Sequence, residues 1–142
     1  MKKLFLSLTV AILVMSALAL AQALMGYNEA ALALRQALSG QGYNCQVEVG
    51  DVDENGGMDF AVKYISGNED NKVMHLIANI TGGVAAIVQM INWKADKVFV
   101  LVGEDLYWAS ARDCVRCYNL TNNPNTTDDD VVNCLSEIWN QK

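Results

Sequence analysis

The run from Asn71 to Asn92 constrains this chain more than any other stretch. It has helical period and stops just before Trp93. At about 100° per residue, Val73, Ile77, Ile80, Val84, Ile87 and Ile91 fall on one line, with Val88 beside them. A stripe this wide is the main core contact of a small domain, so the flanking segments must supply apolar faces to match it. The run is not a membrane span, because His75, Asn79, Thr81 and Gln89 interrupt it well short of ~20 clean apolar residues. The opposite side reads His75, Asn79, Gly82, Ala86 and Gln89, which is small and weakly polar, not charged. Gly82-Gly83 costs a helix about 1 kcal/mol per glycine relative to alanine. Something must therefore require them: a close backbone approach, within the fold or in a dimer, or a kink. The face His75, Asn79, Gly82 and Ala86 is accordingly expected to be an interaction face.

The flanks do supply apolar faces. Leu24 to Ser39 has helical spacing at Tyr27, Ala31, Leu34 and Leu38, and Gly40 and Gly42 close it. Tyr43 to Val49 alternates strictly, with Tyr43, Cys45, Val47 and Val49 on one side. Met58 to Ile65 repeats the pattern through Met58, Phe60, Val62 and Tyr64, and Asn55-Gly56 between the two is a hairpin signal. Lys97 to Val102 is continuously apolar, which predicts a strand covered on both faces. Gly103-Glu104-Asp105 then turns into the alternating Leu106 to Ala111, and Asp129 to Asn140 is a closing helix capped by Thr127 or Asp128. Between them, Cys114-Val115-Arg116-Cys117 follows the strand directly, and Tyr118 to Thr127 reads as loop.

The element order is α-β-β-α-β-β-α. It predicts an α+β two-layer sandwich, a mainly antiparallel sheet with helices packed on one face. In element order alone this resembles type III secretion chaperone-like domains and related small sensory modules, a likeness of fold that carries no function with it.

The amino terminus predicts export. Lys2 and Lys3 precede an apolar segment from Leu4 to Leu20, and Ala21-Gln22-Ala23 fits the small-x-small cleavage rule. Residues 1–23 are thus expected to be a signal peptide and residues 24–142 a single secreted or periplasmic domain; the alternative is an uncleaved anchor. The signal holds two of the chain's 10 basic residues and none of its 16 acids, so cleavage leaves a formal charge near −8. Such acidity disfavours nucleic acid and anionic membranes, both of which want Lys/Arg clusters. The partners expected are proteins or a second copy of the chain.

Cys45, Cys114, Cys117 and Cys134 are an even set in an exported chain, which reads as two disulfides. Three pairings are open; Cys117 with Cys134 and Cys45 with Cys114 are the favoured ones. A sharper alternative makes Cys114 and Cys117 a thiol-disulfide exchange pair. That chemistry wants the first cysteine at a helix N-terminus, and here the pair follows a strand.

Asp51, Asp53, Asn55 and Asp59 reproduce the opening of a calcium loop, and hard cations want such clusters of oxygen donors. Val62 stands where the bidentate Glu belongs, so the match is half a loop, and an acidic hairpin turn is the competing reading. No cofactor is implied beyond this calcium candidate. Calcium-dependent adhesion is therefore the third functional reading, after a binding domain and a thiol-disulfide exchange protein. Asn79, Asn119 and Asn125 begin N-x-Thr sequons to which no function is attached. His75 is the only histidine and no nucleophile is placed near it, so no catalytic set can be assembled and a non-enzymatic binding domain is the leading reading.

Overall fold

Apolar residues three and four apart bury one side of the first helix, α1 (Tyr27–Gly40), where Ala30, Ala33, Leu34, Ala37 and Leu38 are all enclosed. The structure is a computed structural model that describes residues 26–50, 58–67, 72–91 and 97–141. The signal segment, the turn at Asn55-Gly56 and Trp93 lie outside the described residues. Gln41 and Gly42 close α1 through bonds to the Leu38 and Ser39 carbonyls, both 3.0 Å. Gly42 takes a φ of +88°, where a side chain would be strained, and this turn delivers the chain into β1 (Tyr43–Val49).

β1 pairs antiparallel with β2 (Phe60–Gly67) from Val49↔Phe60 to Tyr43↔Gly67, the hairpin expected from the two alternating patterns. Gly67 is tightly constrained: a Cβ there would collide with the Gly42 carbonyl oxygen. The long helix α2 (Lys72–Ile91) then crosses over to β3 (Lys97–Val102), which lies parallel to β2 from Phe60↔Val98 to Lys63↔Leu101. Gly103 and Glu104 turn β3 into β4 (Asp105–Ser110), its antiparallel partner. A short strand β5 (Asn140–Gln141) completes a sheet of order β1-β2-β3-β4-β5. The α+β architecture and mainly antiparallel sheet agree with the sequence reading.

One helix was not expected. α3 (Ala111–Asn119) takes in the cysteine pair, to which no element was assigned, and the first two residues of the expected loop, with the Ser110 hydroxyl accepting from Asp113 N at 3.1 Å as its cap. Ala111, Cys114, Cys117 and Tyr118 form its buried side. Asn/Thr side chains then order the connection: Thr121 Oγ1 donates to Tyr118 O, and Thr126 Oγ1 to Leu120 O. The last helix, α4 (Asp128–Ile138), opens on a reciprocal cap in which Thr127 and Asp130 bond each other's backbone N–H.

The helices and one face of the sheet share a single core. Phe60, Val62, Val98, Val100 and Ala109 from the strands are each 1% exposed or less, and they join Leu34, Leu38, Leu76, Ile80 and Ile87 from the helices. α2 is the centre of it. From Leu76 to Ile87 every residue is buried except the half-buried Asn79.

Candidate functional site

Side chains alternate across a strand, so the residues between the core positions face away from the helices. On β2 these are Ala61, Lys63 and Ile65; on β3, Lys97, Phe99 and Leu101; on β4, Leu106, Trp108 and Ser110. Register brings them together, Phe99 opposite Trp108 and Leu101 opposite Leu106, with Ala61 and Lys63 beside Phe99 and Leu101. Asn44, Gln46 and Glu48 extend the surface across β1.

This second face is not covered as the first is. Phe99, Leu101, Leu106 and Trp108 are half-buried, and Ile65 is 49% exposed. The expectation that β3 is covered on both faces is therefore corrected. Val98, Val100 and Val102 are buried, whereas Phe99 and Leu101 line an open depression of about 380 Å³ with Gln46, Glu48, Lys63 and Leu106. Lys97 lays its ammonium over the Trp108 ring, 4.9 Å from the centroid, which holds a positive charge at the apolar patch.

The end of this face is fastened by Asp59. Its Oδ1 accepts from Lys97 N at 2.9 Å and its carbonyl accepts from Gly50 N at 2.9 Å, tying β3 to the base of the first hairpin. This is a structural role for one of the four calcium candidates. Asp51, Asp53 and Asn55 lie outside the described residues, and among the described residues no group of three His, Cys, Asp or Glu side chains could hold a metal ion.

The cysteines divide into a bonded pair and two separate thiols. Cys117 and Cys134 are joined, with Cα atoms 5.7 Å apart, linking α3 to α4 as expected. The proposed Cys45–Cys114 bridge is corrected: both are buried free thiols. Cys45 lies on β1, which packs on β2 and α1, while Cys114 lies on α3, which packs on α2, α4 and β4. Sequence spacing alone does not reveal that separation. Burial pushes the Cys45 thiol up to about 11. Burial, with the Asp113 carboxylate second, raises Cys114 further, against a hydrogen bond with Thr81 that lowers it.

These positions also bear on thiol exchange. The Cys114/Cys117 pair follows a strand as expected but sits on a helix that the sequence reading did not assign, and the chemistry still needs an accessible thiolate. Cys114 is 0% exposed and held protonated, and Cys117 is already bonded. Arg116, the cation beside them, lies 3.6 Å from both Asp113 and Glu137, so its charge is shared with carboxylates.

The expected interaction face on α2 is largely enclosed. Gly82 and Ala86 are buried, and His75 and Asn79 half-buried, with Asn79 Nδ2 donating to His75 O at 2.7 Å. α3 lies close against α2, and Thr81 Oγ1 accepts from Trp139 Nε1 at 3.0 Å. Gly82, Gly83 and Ala86 are thus enclosed within the fold. The residues missed were Phe99, Leu101, Leu106 and Trp108. Their signal was present in the unbroken apolar run of β3, which advertises two apolar faces whether or not both acquire a cover. No protein-family model, curated protein sequence or solved structure matches this chain.

Proposed function

We propose that this chain is an exported, non-enzymatic interaction domain that docks a partner protein on the uncovered face of its sheet. The observation that carries the reading is the cluster Phe99, Leu101, Leu106 and Trp108, left half-buried in the middle of a sheet. Contiguous apolar surface of this kind, aromatic at its centre and polar at its rim, is characteristic of protein interfaces. The rim states the chemistry of the occupant. Lys63 and Lys97 flank the apolar cluster, with the Lys97 ammonium over the Trp108 ring, while the carboxylates described on this face are Glu48 on the outer strand and Asp59, whose Oδ1 is already engaged by Lys97 N. An apolar segment flanked by acidic residues fits there and is repelled by the rest of the surface.

Export is supported by the amino-terminal signal pattern and by the Cys117–Cys134 bond, since disulfides persist in oxidising compartments. Sequencing the amino terminus of the secreted protein tests this part, with Leu24 expected as the first residue. For docking, the probes are two synthetic helical peptides with a common leucine face, one flanked by Glu and the other by Lys. Titration followed by tryptophan fluorescence should show binding of the Glu peptide at least about tenfold tighter. The change should vanish in Trp108→Phe, and Phe99→Glu should abolish binding. Equal binding of both peptides, or of neither, defeats the assignment. A protein dimer that Phe99→Glu dissociates would instead make a second copy the occupant.

A further inference from the structure

A second surface lies at the margin of the sheet. β1 is the outer strand and pairs only with β2 among the described residues. Its helix-facing side opens along its length: Tyr43 and Cys45 are 3% and 4% exposed, whereas Val47 and Val49 are half-buried. Beside these two valines, α1 and β1 leave a groove of about 410 Å³, walled by Ala31, Leu32, Arg35, Val47, Glu48 and Val49. Leu32 is 45% exposed, and only it and Ile65 are exposed large apolar residues among those described.

Edge strands are ordinarily blunted by proline, lysine or a bulge. From Cys45 to Val49 this edge has neither residue, and its register irregularity is confined to Asn44/Cys45. A groove between a free edge strand and a helix suits an extended peptide: main-chain groups pair with the strand, and alternate side chains drop into the groove.

We infer that the α1–β1 groove binds an extended segment of a partner protein, added as a sixth strand beside β1, with apolar residues opposite Val47 and Val49 and a basic residue opposite Glu48. Period two places the first two on the groove side, against Ala31 and Leu32, and the third on the opposite side of the sheet. Cross-strand charge pairing selects the base at Glu48. Arg35 in the groove wall repels a base from the apolar side, so a peptide shifted by one residue is penalised at both places. The acidic chain attracts a basic segment at long range as well. This surface does not depend on the sheet-face reading, although Glu48 borders both.

The probe is an acetylated peptide Thr-Thr-Val-Lys-Val-Thr-Thr, with a twin carrying Glu for Lys and two forms N-methylated on alternate main-chain nitrogens. Binding is read by calorimetry and by amide chemical shifts on the mature protein. The Lys peptide should bind with shifts along β1 and α1, at least tenfold tighter than its Glu twin, and Glu48→Lys should invert that preference. One methylated form should lose at least tenfold and the other little, because only one set of N–H groups faces β1. Leu32→Asp should weaken binding while leaving tryptophan-detected docking on the sheet face intact. Absence of binding at millimolar peptide, equal binding by parent and both methylated forms, or shifts centred on Phe99 and Trp108 would each overturn the inference. So would a dimer of the protein formed through β1.

Discussion

Both faces of the sheet carry large apolar side chains at their centre, yet these end in different environments. Toward the helices, Phe60, Val62, Val98 and Val100 are sealed. On the reverse, Phe99, Leu101, Leu106 and Trp108 stay half-buried, with Lys97 resting on the indole. The strands alone do not decide which face becomes the core. α2 does, because it crosses over on one side only and brings α1, α3 and α4 with it. Apolarity on the covered side is used for stability, whereas on the other side it is available for contact.

The largest test of this contrast is truncation of one phenylalanine from each face. Phe60→Ala should cost about 3–5 kcal/mol in denaturant unfolding, as expected for a large buried side chain. Phe99→Ala should cost about 1 kcal/mol or less. Similar losses would mean that both faces are core. Next in size is the disulfide on the covered side. Replacing Cys117 and Cys134 together with alanine should remove about 3 kcal/mol, given a separation of 17 residues, again read from unfolding midpoints.

A smaller effect comes from Thr81, the one buried polar side chain described in the core. Thr81→Val removes the acceptor for Trp139 Nε1 and should cost about 1–3 kcal/mol, because the indole N–H is left unpaired. The smallest expected effect is alkaline. A cysteine thiol ordinarily titrates near 9.0, and burial in the fold pushes that of Cys45 up to about 11. The unfolded chain therefore releases this proton first, so the contribution is intact below about 9 and is lost as pH rises toward about 11. Stability measured across that window should fall less steeply in Cys45→Ala than in the native chain. No difference in slope would show that the covered side is wetter than its burial implies.

Much of this architecture could be read from local period. Tyr43–Val49 and the apolar line of α2 were legible because a period of two or 3.6 residues is written in neighbouring positions. α3 was not, since Ala-Arg-Asp-Cys-Val-Arg-Cys-Tyr-Asn is polar on average, and its two cysteines suggested chemistry before they suggested a helix face. The weakly polar side of α2 was ambiguous for a different reason. A docking face and a fully enclosed helix both want glycine and alanine, and only tertiary contact separates them. Phe99 and Leu101 mark the same boundary from the other direction, because an apolar strand declares its faces but not how many layers will cover them. The distance between Cys45 and Cys114 depends on strand order, which no local pattern encodes.

The Cys117–Cys134 bond has a consequence for a protein that meets proteases. It spans the exposed connection Thr121–Asn125, which is the kind of loop tip that proteases cut first. A chain nicked there would gain one water in mass but remain a single covalent molecule. Its second piece, α4 with β5, would stay docked beside Thr81 through Trp139. Only reduction would release it. Damage to this loop would therefore be silent until the protein encountered a reducing compartment, where one cut and one electron-pair transfer together would free α4 and take Val131, Leu135 and Ile138 out of the core.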